Sequence, residues 1–259
     1  NSILIKKILK NKKSILFEGV SINSKNIKKN NLFVAIKGKR KDGHNFLKEA
    51  IKKGANYSIV SKKIKKKYKP LKVKNTLHFL KDFSKTKRED SSAKFIAVTG
   101  SAGKTSLKTM LGGLLNKYSK TYFSPLSYNN HYGVPLSLSN ISPDHSFGVF
   151  EVGMSKFNEI HRLSSLVKPD IGIITNISEA HLENFKSVSD IAKAKGEIIS
   201  NIQKGGTIIL NRDDSFFNYF KQEAIKNKIQ IKSFGYSKKA DIRFLTVSYT
   251  HLTLPTIGC

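Results

Sequence analysis

Short apolar runs and longer helix-patterned stretches alternate through most of the chain. A run over 95–99 predicts a strand, and the stretch over 105–118 predicts a helix. In that helix Leu107, Met110, Leu111, Leu114 and Leu115 fall on one face at helical spacing. Strands follow over 121–123 and 148–152, a helix over 158–166 before Pro169, and an apolar strand over 171–175. Then come a helix over 188–202, a strand over 207–210, a helix over 216–226 and a strand over 229–234. Strands alternating with helices predict an α/β unit whose mostly parallel sheet is covered on both faces. Ahead of it lies a smaller α/β pattern. It has a strand over 32–36, a loop over 38–44, a helix through Phe46, Leu47, Ala50 and Ile51, and a strand over 57–60. A short helix follows over 76–83. The polar stretch 84–92 reads as a linker. The division is therefore 1–84, a linker at 85–92, and 93–245.

The chemistry concentrates where the strand at 95–99 meets its helix. The connection reads Thr99, Gly100, Ser101, Ala102, Gly103, Lys104, Thr105. Strand, glycine-framed turn with Lys-Thr, then helix is the order a phosphate-binding loop requires. Glycines let the backbone approach the phosphates, and successive N–H groups point inward with the positive end of the helix dipole. Lys104 can reach the terminal phosphates, and the Thr105 hydroxyl can ligate Mg²⁺. The loop is one residue shorter between its glycines than the common form. The plainer alternative is a glycine turn with a surface lysine.

In open parallel sheets ligands sit at the carboxyl ends of the strands. The polar residues just after the strands should converge there: the glycine loop, Glu151, Thr175, Asn176 with His181, and Asn211 with Asp213 and Asp214. Glu151 ends an apolar strand, where a carboxylate is costly unless paired or bound to metal. Oxygen donors such as Glu151 and Thr105 suit Mg²⁺. Asp213 and Asp214 have a plainer reading as caps of the next helix.

With 259 residues the chain can bury a real core in one or two domains. The formal net charge of +29 invites a nucleic-acid reading. However, arginine occurs only at Arg40, Arg88, Arg162, Arg212 and Arg243, and the lysines spread over many helix faces. A lysine-rich solvated surface, with a field favouring anionic substrates, is the reading adopted. No apolar run approaches a membrane span and no signal peptide is read at the start. The single cysteine, Cys259, allows no internal disulfide and fits a reducing compartment.

Four runs carry a resemblance. The stretch 20–55, VSINSKNIKKNNLFVAIKGKRKDGHNFLKEAIKKGA, resembles the N-terminal domain of the Mur ligases of peptidoglycan precursor synthesis. Asn23-Ser24-Lys25 stands there in place of the family's Asp-Ser-Arg. TGSAGKT over 99–105 is similar to the family's short phosphate loop. NNHYGVP over 129–135 is similar to a stretch of the MurF branch, and NISEAHLENFKSVSDIAKAKGEI over 176–198 to the family's A-H-L-E and A-K-A-K-G-E-I runs. The resemblance implies a small N-terminal α/β substrate domain plus a central, mostly parallel-sheet P-loop ATPase domain. It also implies an ATP-dependent ligase that phosphorylates a carboxylate and lets an amine displace the phosphate. For the MurF branch the partners are UDP-N-acetylmuramoyl-tripeptide and D-alanyl-D-alanine, handled by a cytoplasmic monomer with no nucleic acid and no membrane insertion.

Site roles follow from the same resemblance. The catalytic group is Lys104, Lys195 and His181. ATP is held by the loop from Thr99 to Thr105 with Asn211. Ser24, Asp42, Gly43 and His44 lie near the uridine, and Asn129 and Asn130 near the nucleotide and muramoyl peptide. Thr105 and Glu151 hold one Mg²⁺, and His181 a second. Lys195 matches the lysine that the family carbamylates, although residue pattern alone makes it a helix-surface lysine. For His44 the plainer alternative is a loop histidine capping the next helix.

A MurE-type ligase, a non-catalytic nucleotide-binding module and a nucleic-acid binder stand as alternatives. The family's third domain is not reached in this sequence. Residues 246–259 continue none of the family pattern and read as a non-native tail, so His251 and Cys259 receive no role. As given, the chain is expected to bind nucleotide weakly without turnover.

Overall fold

The computed structural model describes residues 15–179 and 184–244. Two parallel sheets lie in sequence along the chain, as the alternating pattern predicted. The first contains β1 (Val20–Ser21), β2 (Asn31–Val34), β3 (Ala55–Val60) and β4 (Pro70–Lys72), paired in that order. Alternation along β2 sends its side chains to opposite faces. Leu32 and Val34 meet Phe79, Leu80 and Phe83 of helix α2 (Thr76–Glu89). Phe33 and Ala35 meet Leu47 and Ala50 of α1 (Leu47–Lys52). β1 and β4 are short and were not anticipated from the pattern.

Helix α2 runs on to Glu89, through most of the stretch read as a linker. Its inner face, Phe79, Phe83, Ser84 and Lys87, stays buried over that distance. At its end Arg88 donates from Nε to the Val167 carbonyl (2.7 Å) and from a terminal nitrogen to that of Lys168 (2.8 Å). Its guanidinium lies 3.9 Å from the Phe95 ring centre. The first unit is also tied down by Asn140, whose side chain accepts from Val20 N (2.9 Å) and donates to Val20 O (3.0 Å). Leu136 completes the apolar cluster under α2.

The second sheet has seven parallel strands. They are β5 (Lys94–Thr99), β6 (Thr121–Phe123), β7 (Phe147–Glu151), β8 (Ile171–Ile174), β9 (Thr207–Asn211), β10 (Gln230–Gly235) and β11 (Ile242–Arg243), in the order β11-β10-β9-β8-β5-β7-β6. On one face Ile96, Val98, Val149 and Ile173 pack with Leu107, Leu111 and Leu115 of α3 (Lys104–Leu115). On the other, Phe95, Ala97 and Phe150 pack against α4 (Gly133–Ser139), α5 (Glu159–Val167) and α6 (Val188–Gly196). Helix α7 (Phe217–Lys226) covers the same face near β9.

One expectation changes. Met110 and Leu114 do not join the buried face of α3; they are 73% and 53% exposed. Leu107, Leu111 and Leu115 do face the sheet, but the most deeply buried positions are Lys108 and Gly112, where Gly112 lies against the Phe123 ring. The run GVPLSLS also forms a helix, α4, buried at every position. Its Gly133 and Pro135 both fall in the opening turn, where proline is tolerated.

Candidate active site

The strand order fixes where a cleft can form. β5 and β7 are neighbours, with Val98 opposite Glu151. The chain leaves β5 through α3 on one face and β7 through α5 on the other. A crevice therefore opens between the two strand ends, the place where open α/β sheets take ligands. A cleft of about 1140 Å³ lies there, lined by the glycine loop, Ser127, Asn129 to His131, Glu151 and Lys195.

The glycine loop is held from behind. Ser101 N donates to the Asn176 carbonyl (2.9 Å), Ala102 N to Asn176 Oδ1 (3.0 Å), and the Thr175 hydroxyl to the Ala102 carbonyl (2.6 Å). The segment after β8 thus supports the loop, as the convergence argument required. Gly100 has φ +148°, and a Cβ there would lie 1.8 Å from Thr175 Oγ1. Gly103, at φ +78°, begins α3 with open space beside it. Only glycine suits both positions. Thr99 is fully buried and its carbonyl accepts from Thr175 N (3.0 Å), so it anchors the loop from within the sheet.

Two lysines converge on one carbonyl. Lys104 Nζ donates to Gly100 O (2.8 Å) and Ser101 O (3.0 Å), and Lys195 Nζ donates to Gly100 O (3.0 Å). Lys195 comes from α6 and is 2% exposed, so the surface reading of its helix position does not hold. Burial, and next the charge of Lys104, push its pKa down to about 7. Burial also lowers that of Lys104, with Glu151 opposing the shift.

Glu151 is 1% exposed. One carboxylate oxygen accepts from Thr105 Oγ1 (2.8 Å). The other accepts from Ser127 Oγ (3.0 Å) and Asn129 Nδ2 (2.8 Å). Ser127 was not singled out in the sequence, because only the folding of the loop after β6 brings it to β7. Asn130 lines the cleft too, and its Oδ1 accepts from Tyr132 N and Gly133 N (3.0 Å each) at the start of α4. Lys81 and Lys85 of α2 line the cleft, as do Lys156 and Arg162. A cationic rim around a buried carboxylate suits a phosphate-bearing ligand.

Other expected residues lie outside this cleft. Asn211 Oδ1 accepts from Asp213 N (3.0 Å). Asp214 accepts from Ile177 N (2.8 Å) and Phe216 N (2.9 Å), so this group shapes the turn after β9. Ser24, Asp42, Gly43 and His44 belong to the first unit. The Ser24 hydroxyl donates to Glu49 (2.8 Å). His44 is buried; its Nδ1 lies 2.6 Å from Asp42, and its Nε2 accepts from Ser61 N (3.0 Å), so the proton sits on Nδ1. The Lys62 ammonium, 2.5 Å away, first of all holds the Asp42 carboxyl well below the usual carboxylate range. His181 lies outside the described residues.

A family model described as the Mur ligase middle domain matches residues 98–254. One described as the Mur ligase family, catalytic domain, matches residues 16–88. The UDP-N-acetylmuramoyl-tripeptide–D-alanyl-D-alanine ligase of Rickettsia prowazekii is 41% identical over 232 residues, covering 87% of this chain and 51% of that protein. The Escherichia coli protein of the same name is 34% identical, over 78% of this chain and 44% of its own length. A crystal structure of MurF from Acinetobacter baumannii superposes with a TM-score of 0.80 at 30% identity, covering 93% of this chain and 53% of that one. MurF from Thermotoga maritima, in complex with ADP, gives 0.72 at 30% identity, over 87% and 52%. The chain spans about half the length of the relatives it matches. Two family models in chain order, over a fold shared with solved MurF structures, leave one conclusion: the chain belongs to the Mur ligase family.

Proposed function

We propose that this chain carries the nucleotide and carboxylate-activation half of an ATP-dependent ligase. That ligase joins D-alanyl-D-alanine to UDP-N-acetylmuramoyl-tripeptide in the cytoplasm. The observation that carries the reading is the convergence of Lys104, Thr105, Glu151 and Lys195 on one cleft between β5 and β7.

In this reading the glycine loop cradles the β- and γ-phosphates of ATP. Lys104, folded back on the Gly100 and Ser101 carbonyls, turns its ammonium to the phosphates and stabilises charge on the transferring phosphoryl group. The tripeptide carboxylate takes the γ-phosphoryl group, giving an acyl phosphate and ADP. The amine of D-alanyl-D-alanine adds to the acyl carbon and loses a proton, and phosphate leaves as the amide forms. Lys81, Lys85 and Arg162 at the rim offer charge to the anionic substrates.

Magnesium fits the donors present. The Glu151 carboxylate is buried among neutral hydroxyl and amide partners and faces the phosphate loop, an arrangement that a hard cation would complete. Thr105 and Glu151 would hold it, and it would supply charge neutralisation between phosphate oxygens. Among the described residues no group of three or more His, Cys, Asp or Glu side chains is arranged to hold a metal by itself. Sharing the ion with ATP phosphates matches that donor set. His181 would serve a second ion.

Lys195 is suited to carbamylation. An amine with its pKa near 7 is substantially neutral at physiological pH, and only the neutral amine adds to CO₂. The resulting carbamate is anionic and would form an ion pair with the Lys104 ammonium. That change relieves the repulsion from Lys104.

Equilibrium binding tests the reading. The chain should bind Mg·ATP and UDP-N-acetylmuramoyl-tripeptide at physiological salt and prefer both to DNA. Equal or tighter binding to DNA, with no response to either nucleotide, would defeat it.

A further inference from the structure

Lys108 is the most deeply buried cation near the cleft and has no part in the chemistry above. It lies one helical turn beyond Lys104 on α3, on the same side of the helix. Its side chain is fully buried, at 0% exposure. Its ammonium donates to the Ser124 carbonyl (2.7 Å) and the Leu126 carbonyl (3.0 Å). Both belong to the loop that follows β6, and Ser127 is the next residue. Ser127 and Asn129 then hold one oxygen of Glu151, while Thr105, from the same helix as Lys108, holds the other.

We infer that Lys108 is a positioning residue. It fastens the 124–126 turn to the phosphate-loop helix and thereby sets Ser127, Asn129 and Glu151 in the geometry that receives a nucleotide-bound divalent cation. The inference rests on the magnesium–nucleotide reading of the cleft. It adds a residue that touches neither nucleotide nor ion.

The chemistry favours this over a space-filling role. A methionine or leucine would fill the same volume without the cost of desolvating an ammonium. What the ammonium adds is several N–H donors in one place, enough to hold two backbone carbonyls of an irregular turn, that of Ser124 and that of Leu126, which also accepts from Tyr128 N (2.8 Å). The carbonyls lie two residues apart, so the bonds fix the direction in which the turn leaves toward Ser127. Burial lowers the pKa of Lys108, and the nearby negative charge of Glu151 opposes that shift.

Lys108→Met in the 259-residue chain removes both bonds at nearly constant volume. The inference predicts that affinity for Mg·ADP falls about tenfold or more, as for outer partners of metal ligands. Affinity for ADP measured with EDTA should change less than about twofold on the same reasoning. Amide hydrogen exchange in nucleotide-free protein should quicken over residues 126–130 and stay unchanged in β5 and β7. Met110→Lys, on the exposed face of the same helix, is the control and should alter none of these. Equal losses with and without magnesium, or unchanged exchange over 126–130, would overturn the inference. Lys108→Gln, which keeps a shorter donor, is the second variant and should give intermediate values. If both Lys108 variants lose their cooperative unfolding transition, the residue serves the whole fold and the inference is likewise overturned. Failure of the unsubstituted chain to bind Mg·ADP would refute the nucleotide reading instead, and hydrogen exchange would then decide the role of Lys108.

Discussion

Replacing Lys195 by methionine should make the protein more stable and remove its response to bicarbonate. The lysine is 2% exposed, donates to a carbonyl already used by Lys104, and has its pKa pushed from 10.5 down to about 7 by burial and by that neighbour. Three and a half decades of proton affinity, at about 1.4 kcal/mol each, place a penalty of roughly 5 kcal/mol on the charged form. Methionine removes that penalty but gives up the bond to Gly100, and the native site relaxes around a charge. The net gain at pH 6 should therefore be about 2–4 kcal/mol, the range seen when buried ions yield to apolar residues. The sign of the pH dependence follows from where the proton resides. Below pH 7 the lysine is charged in folded and unfolded chains, so the full penalty stands. Between about 7 and 10.5 the unfolded chain binds a proton that the folded chain has shed, and raising the pH favours folding. The advantage of Lys195→Met should thus shrink by about 2–3 kcal/mol between pH 6 and pH 9. Urea unfolding in CO₂-free buffer at several pH values measures it through the midpoints. Added bicarbonate should stabilise the unsubstituted chain and leave the variant unmoved, because only the lysine can become a carbamate. A variant less stable at every pH, with no bicarbonate response in either protein, would refute the reasoning.

Other substitutions probe the remaining parts. Glu151→Gln keeps the shape of the side chain and its neutral partners. It should leave stability within about 1 kcal/mol while weakening Mg·ADP binding about tenfold or more, both checked by calorimetric titration and urea unfolding. Gly100→Ala places a Cβ against Thr175 Oγ1 at a positive φ; a loss of about 2 kcal/mol or more is expected, together with loss of nucleotide binding. Native-like binding by that variant would show that the loop is more compliant than its contacts imply. Arg88→Ala removes two bonds to backbone carbonyls and the stacking on Phe95, and should cost about 2–4 kcal/mol. Limited proteolysis should then cut first near residues 90–92; unchanged resistance would argue against a docking role.

The strands of the large sheet were legible because their apolar runs alternate with helix-period stretches, and Glu151 stood out as a carboxylate closing one such run. The inner face of α3 was misread for a physical reason. Periodicity treats lysine as a surface residue, whereas Lys108 turns inward because two loop carbonyls satisfy its ammonium. Met110 and Leu114 are displaced outward as a consequence. The end of α2 was taken for linker because Lys85, Thr86, Arg88 and Glu89 are polar. Arg88 nonetheless docks on a ring and two carbonyls that lie 79 and 80 residues away from it. Ser127 and the lysines of α2 reach the cleft only through tertiary folding, and no local spacing signals them. The pKa of Lys195 was equally out of reach, since it depends on burial and on Lys104.

The proposed function requires the cleft between β5 and β7 to be the nucleotide-phosphate site. Titrating the isotopically labelled 259-residue chain with Mg·ADP, and mapping the amide resonances that shift, tests this most directly. The largest changes should fall on residues 100–105, on Ser127 and on Glu151, and should vanish in Lys104→Met. Shifts centred on residues 42–44 or on the turn at 211–214, or no saturable shift at all, would contradict it.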